Sequence, residues 1–165
     1  MKKIGTLLLI FVLICACSQA QQSEFTPETL NAKLLTVDGS EASFKNIIEK
    51  YNGKVILMEV WASWCSDCIK AMPKLKELQN ANPDIVYLFV SMDKTADKWK
   101  TGIEKHELKG EHIMAIDGMK GNFGSSIDLD WIPRYMIIDK DGKIALYRAV
   151  ETDFEKIDQK LKSLQ

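Results

Sequence analysis

The tightest constraint in this sequence is a pair of cysteines, Cys65 and Cys68, set between two segments of different periodicity. The run Val55-Ile56-Leu57-Met58-Glu59-Val60 leads in. It is almost unbroken in apolar residues, as a strand buried on both faces would be. Ile69 to Gln79 leads away, with Ile69, Met72, Leu75 and Leu78 at three-residue steps, as on the core face of a helix. The first sulfur therefore falls where a strand ends and a helix begins. A helix N-terminus presents unpaired N–H groups and the positive end of the macrodipole, which stabilise a thiolate. Cys68 lies one turn further on, close enough to close a disulfide. The chemistry expected is thiol–disulfide exchange, with Cys65 attacking and Cys68 resolving.

A CxxC can also be half of a structural zinc site, which needs a second ligand pair. The other cysteines, Cys15 and Cys17, lie far upstream, and His106 and His112 are not spaced as a zinc-finger pair. No metal or other cofactor is expected, and the two histidines read as surface and strand residues.

The octet Trp61-Ala62-Ser63-Trp64-Cys65-Ser66-Asp67-Cys68 resembles the WAxWCxxC signature of the thioredoxin superfamily. Glu59, six residues before Cys65, matches a buried acid of that family. Pro73, five residues after Cys68, matches a helix-kinking proline, and Ile132-Pro133 matches the family's cis-proline. Within the superfamily the chain is most similar to the TlpA/ResA-like envelope thiol-disulfide oxidoreductases, over roughly residues 28–165. The stretch from Asp93 to Trp131 is longer than in a minimal thioredoxin, which fits the helix and strand inserted in that group. The resemblance implies an α/β, thioredoxin-like three-layer fold with a central mixed β-sheet, an N-terminal β-hairpin extension and an inserted helix-strand unit.

The same resemblance assigns expected roles. Glu59 relays the proton to or from Cys68, or else its carboxylate simply reaches water at a strand edge. Ser66 and Asp67 tune the pair. A carboxylate at Asp67 disfavours a nearby thiolate and so favours a reductase over an oxidase, unless it points into solvent. Trp64, Ile132 and Pro133 are expected to bind substrate, with Ile132 pairing to an extended chain. Trp64 and Trp131 form an apolar rim, or one of them is core. Arg134 stands where thioredoxins commonly carry Thr; it selects an acidic partner or balances surface charge, and the second reading is favoured.

The N-terminus is of another kind. Met1-Lys2-Lys3 is basic and Ile4 to Ala16 is nearly all apolar, as in a secretory signal. Ile14-Cys15-Ala16-Cys17 resembles a bacterial lipoprotein box. The expected organisation is a signal peptide over 1–16, a lipidated tether over 17–27 beginning at Cys17, and one domain over 28–165. Cleavage and lipidation would leave Cys65 and Cys68 as the free thiols, in a compartment where disulfides persist. Expected partners are disulfide-containing protein substrates and a membrane electron donor of the DsbD/CcdA type, at the periplasmic side of a bacterial cell envelope. A net charge of −1 gives no reason to expect nucleic acid.

The remaining chain reads as alternating elements: a strand over 30–37 with an Asp38-Gly39 turn, a helix over 44–51 capped by Ser43, and a strand over 85–90. A helix over 95–108, a short strand over 112–116 and a hairpin over 135–149 turning at 139–142 follow. A final helix carries Phe154, Ile157, Leu161 and Leu164 on one face. Three functions stay open: an envelope disulfide reductase, for instance in apocytochrome c maturation; a DsbA-like or DsbC-like oxidase or isomerase; and a metal-delivering or assembly-binding module without catalysis.

Overall fold

The computed structural model describes residues 22–165. The expected leader over 1–16 and Cys17 lie outside the described residues.

A seven-stranded mixed sheet runs through the domain in the order β2-β1-β5-β4-β3-β6-β7. The strands are β1 (Lys33–Thr36), β2 (Glu41–Ser43), β3 (Ile56–Trp61), β4 (Val86–Ser91), β5 (Glu111–Met114), β6 (Arg134–Ile138) and β7 (Ile144–Ala149). The helices are α1 (Pro27–Asn31), α2 (Phe44–Glu49), α3 (Ser66–Ala81), α4 (Ala96–His106), α5 (Asn122–Ser126) and α6 (Phe154–Leu164). Strand β3 is parallel to β4 and antiparallel to β6, and every one of its residues is buried. Its apolar run reflects that position, since a strand covered on both faces has no polar side to show. The strand preceding the cysteines is therefore an interior strand of the sheet, with β4 on one side and β6 on the other.

The N-terminal hairpin is present, β1 pairing antiparallel with β2 across the Asp38-Gly39 turn. The inserted unit is β5 with α5; β5 lies parallel to β4 and joins the hairpin to the central sheet through β1. One expectation fails here. The strand predicted over 30–37 begins only at Lys33, because Thr26 to Asn31 is capped as a helical turn. Thr26 accepts the Thr29 N–H at 3.2 Å, and Pro27 occupies the first turn, where a missing N–H costs nothing. The end of the expected tether is docked as well. Ser23 accepts the Ile144 N–H at 2.8 Å, and the ring of Phe25 meets that of Phe44 at 5.0 Å. Ser23 and Phe25 thus pack against the domain ahead of residue 28.

Helices α3 and α6 pack on one another, and Phe154 of α6 meets Tyr135 of β6 with ring centroids 5.3 Å apart. The apolar face predicted for the last helix buries Phe154, Ile157 and Leu161. Helices α1, α2 and α5 form a second cluster, in which Phe44 stacks edge-on between Phe25 and Phe123. In α4, Trp99 is fully buried and Ile103 partly so. Among the described residues no helix is long and apolar enough to cross a membrane.

Candidate active site

Cys65 is the N-cap of α3, in extended conformation where β3 has just ended. Its sulfur accepts the backbone N–H of Cys68 at 3.1 Å, so the cap atom of this helix is the sulfur itself. The carbonyl of Cys65 accepts the Ile69 N–H at 3.1 Å and opens the helical ladder. Cys65 and Cys68 are joined by a disulfide of 2.06 Å, with Cα atoms 5.3 Å apart. Both cysteines are buried, Cys65 at 5% exposure and Cys68 fully. The N–H that meets the sulfur in the disulfide remains available to a Cys65 thiolate, where a charge-assisted bond is stronger.

The Ile132–Pro133 peptide bond is cis, and the Ile132 carbonyl oxygen lies 3.6 Å from Cys65 Sγ. The loop before β6 and the N-terminus of α3 thus meet at the sulfur. Trp64 and Trp131, one on each of these segments, are 57% and 56% exposed. Neither is core. Both leave apolar rings in solvent beside Cys65, where an apolar partner would cover them.

Glu59 is 2% exposed in the central strand, so its carboxylate does not reach water at an edge. Oε1 accepts the Tyr135 hydroxyl at 3.1 Å, while Oε2 is buried with no hydrogen-bond partner among the described residues. Burial pushes its pKa up to about 8, with the Tyr135 hydrogen bond holding it down in part. Asp67 sits in the first turn of α3 and pairs with Lys70 at 3.2 Å. Its charge near the sulfurs is therefore offset by a cation one turn on.

Arg134 departs from expectation. It is not a surface charge but 3% exposed, because its place opposite Val60 in the β3–β6 ladder puts it inside the sheet. Its guanidinium pairs with Asp130, which also takes Arg148 at 2.6 Å. Nε and Nη1 of Arg134 have no partner among the described residues. The histidines stand apart from the sulfurs: His106 ends α4, and His112 in β5 stacks on Phe89 at 5.0 Å.

Three residues around the site were not singled out from the sequence. Tyr135 holds Glu59. Asp93, fully buried after β4, accepts bonds from Ser63 and Ser91. Gly102 of α4 lies so close to the loop that a Cβ there would meet the Ser63 Cβ at 2.7 Å. Of the three, Asp93 alone has a signal in the sequence, as a polar residue that follows the apolar run of β4.

A thioredoxin-like family model matches residues 52–144, more than half the chain. The ResA thiol-disulfide oxidoreductase of Bacillus thuringiensis subsp. konkukian is 24% identical over 178 residues, covering 99% of each chain. The thioredoxin domain of a Bacteroides vulgatus thiol-disulfide oxidoreductase superposes with a TM-score of 0.66 at 21% identity, covering 81% of this chain and 92% of that one. A thiol-disulfide oxidoreductase of Bacteroides fragilis gives 0.63 at 24%, covering 77% and 94%. A disulfide capping the helix that leaves a central strand, in a chain matched over this length, has one home: the chain belongs to the thioredoxin-like family, as a thiol–disulfide oxidoreductase of ResA-like type.

Proposed function

We propose that this oxidoreductase works as a reductase of protein disulfides on the outer face of a bacterial membrane. The observation that carries the reading is the Cys65 sulfur: a helix N-cap, held by the Cys68 N–H, beside the Ile132 carbonyl and on segments that carry two exposed tryptophans. Cys65 thiolate attacks a substrate sulfur, a mixed disulfide forms and the first substrate thiolate leaves. Cys68 then attacks Cys65 Sγ, the second substrate sulfur leaves, and two electrons have passed to the substrate. Trp64, Ile132 and Pro133 receive the substrate chain, and Glu59 exchanges a proton with Cys68. Ser66 and Asp67 tune the pair, Asp67 less than its sequence position suggests because Lys70 offsets it. The ResA relative supports an extracytoplasmic setting, and cytochrome c maturation is consistent with it.

The leader supports export, and Cys17 is the residue proposed to carry lipid. With Ser23 and Phe25 docked, the tether shortens to about residues 17–22. Such a chain, at roughly 3.3–3.6 Å per residue, keeps the domain within about 20 Å of the bilayer. Re-reduction then falls to a membrane donor of the DsbD/CcdA type.

The test is the reduction potential of the Cys65–Cys68 couple in a thiol buffer. A value near the roughly −270 mV of thioredoxin supports the reductase, and one near the roughly −120 mV of DsbA makes it an oxidase. Absence of a reversible couple removes the redox reading.

A further inference from the structure

Glu59 and Tyr135 are directly opposed in the β3–β6 ladder. The hydroxyl of Tyr135 donates to Oε1 of Glu59 at 3.1 Å, and both residues are buried. A phenol has one proton to donate. Having spent it on Oε1, it makes that oxygen an acceptor and leaves the carboxyl proton to the other oxygen. The other oxygen, Oε2, is the buried atom without a partner. Tyr135 itself is no acid here: burial and the charges of Glu59 and Glu151 push its pKa well above the ordinary phenol value. It stays a donor in both states of Glu59. Tyr135 also lies two residues after Pro133, so the segment that approaches Cys65 continues into the strand that holds the acid.

We propose that Tyr135 is the positioning residue of the proton relay, fixing Oε1 as acceptor so that Oε2 alone carries the proton exchanged with Cys68. The inference rests on the Glu59 role proposed above. In the resolving step Oε2 takes the Cys68 thiol proton, the Cys68 thiolate attacks Cys65 Sγ, and the substrate–Cys65 bond breaks. The substrate leaves with the electron pair as thiolate and is protonated by water. In the reverse direction Oε2–H returns the proton to Cys68. Two consequences follow for pH dependence. Glu59 must be ionised to accept the proton, and the Tyr135 bond favours that ionised form. The other groups around it are few: Phe89, its partner on β4, carries no charge, and Glu151, from the turn after β7, acts on Tyr135. In the reduced protein the Cys68 thiol that exchanges the proton titrates with Glu59, so the measured value belongs to the Glu59–Cys68 pair.

The experiment follows the reduced protein with an excess of the aryl disulfide dithiobis(nitrobenzoate). The first thionitrobenzoate is released on attack by Cys65, and the second, independent of reagent concentration, on resolution by Cys68. The rate of the second phase is recorded from mildly acidic to alkaline pH. In Tyr135→Phe the midpoint of its rise moves up by roughly one pH unit, so the rate near neutrality falls about tenfold. In Glu59→Gln the Glu59-dependent rise disappears. Replacing the tyrosines by fluorotyrosine, which keeps their shape and strengthens the O–H donor, moves the midpoint the opposite way and guards against misfolding of the Phe variant. A loss of stability alone would leave the midpoint in place. If Glu59→Gln removes the rise but neither tyrosine change moves it, the proposal is overturned while the reductase reading stands. If Glu59→Gln leaves the profile unchanged, the Glu59 role and this proposal fall together. A wild-type protein that never gives a second release overturns the function itself.

Discussion

Asp93 holds Ser63 with both of its oxygens. Oδ2 accepts the Ser63 backbone N–H at 3.0 Å and Oδ1 accepts the Ser63 hydroxyl at 2.7 Å. The Ser91 hydroxyl adds a third bond to Oδ2 at 2.8 Å, and the carboxylate is fully buried. The residue two before Cys65 is thereby fastened to the end of the neighbouring parallel strand. A buried carboxylate is tolerable when its lone pairs are occupied, and here three donors converge on it. The loop between β3 and α3 thus gains a rigid support under Trp64 and Cys65.

Replacing Asp93 separates charge from geometry. Asp93→Asn keeps an acceptor for the Ser63 N–H, and the Ser63 hydroxyl can rotate to accept from the amide. Its expected cost is small. Asp93→Ala strands the Ser63 and Ser91 groups and should cost about 3 kcal/mol, several hydrogen bonds at once. Urea unfolding of the oxidised protein measures it. An alanine variant as stable as the asparagine one would show that the loop does not depend on this carboxylate.

Gly102 presses on the same loop from α4. Its absent side chain would place a Cβ at 2.7 Å from the Ser63 Cβ and 3.1 Å from the Trp61 ring. Alanine is the better helix former by about 1 kcal/mol, so an unobstructed site would gain stability on Gly102→Ala. The expected outcome is the reverse, a loss of about 1–3 kcal/mol from overpacking, with slower attack by Cys65 on a small disulfide. Thermal unfolding with stopped-flow thiol kinetics checks both.

What the sequence made legible, and what it did not, follows from the range of the interactions. The strand, the cysteines and the helix after them are contiguous, so periodicity and the helix-end argument located Cys65 as a cap. The trace of β5 and α5 was visible as extra length between Asp93 and Trp131. Long-range polar pairs left no such trace: Tyr135 meets Glu59 across 76 residues and Asp93 meets Ser63 across 30. Arg134 reads as a surface charge because a charged residue after a proline suggests a turn, and only the β3–β6 register shows it to be inside. The helical turn at Pro27–Asn31 is signalled by Thr26, Pro27 and Glu28, whereas the residues from Leu30 on look strand-like, which draws the expected strand too far forward.

Asp130 joins Arg134 and Arg148 beside the segment that carries Trp131, Ile132 and Pro133. Arg134 is buried, whereas Asp130 is 65% exposed, so this is a buried cation reaching out to a surface carboxylate. Asp130→Ala leaves the guanidinium uncompensated. The expected cost is about 2 kcal/mol, below the 3–5 kcal/mol of a fully buried pair because water reaches the Asp130 side. The segment would also lose its anchor. KM for a protein disulfide should then rise more than kcat falls, while the Cys65–Cys68 potential stays put. Steady-state kinetics beside a redox titration distinguish this from general unfolding, which would lower the apparent kcat and leave KM in place.

Glu59 should make the protein less stable as pH rises. Its folded-state pKa of about 8 stands above the ordinary value of 4.5, with burial the larger cause. The folded protein therefore binds the Glu59 proton more tightly than the unfolded chain does. Below about pH 4.5 both states are protonated and Glu59 costs nothing. Between about pH 4.5 and pH 8 the unfolded chain releases the proton first, and stability falls with pH at up to about 1.4 kcal/mol per unit. Above about pH 8 both states are ionised and the loss is complete, on the order of 5 kcal/mol in total. Glu59→Gln holds the side chain neutral at every pH and keeps an acceptor for Tyr135. Its stability should be nearly flat across that window, crossing the wild type on the acid side and exceeding it near pH 8. Chemical denaturation of both proteins across that window reads the difference directly. Parallel curves for wild type and variant would mean that Glu59 is ionised in the fold at neutral pH, and that a partner for Oε2 forms in solution.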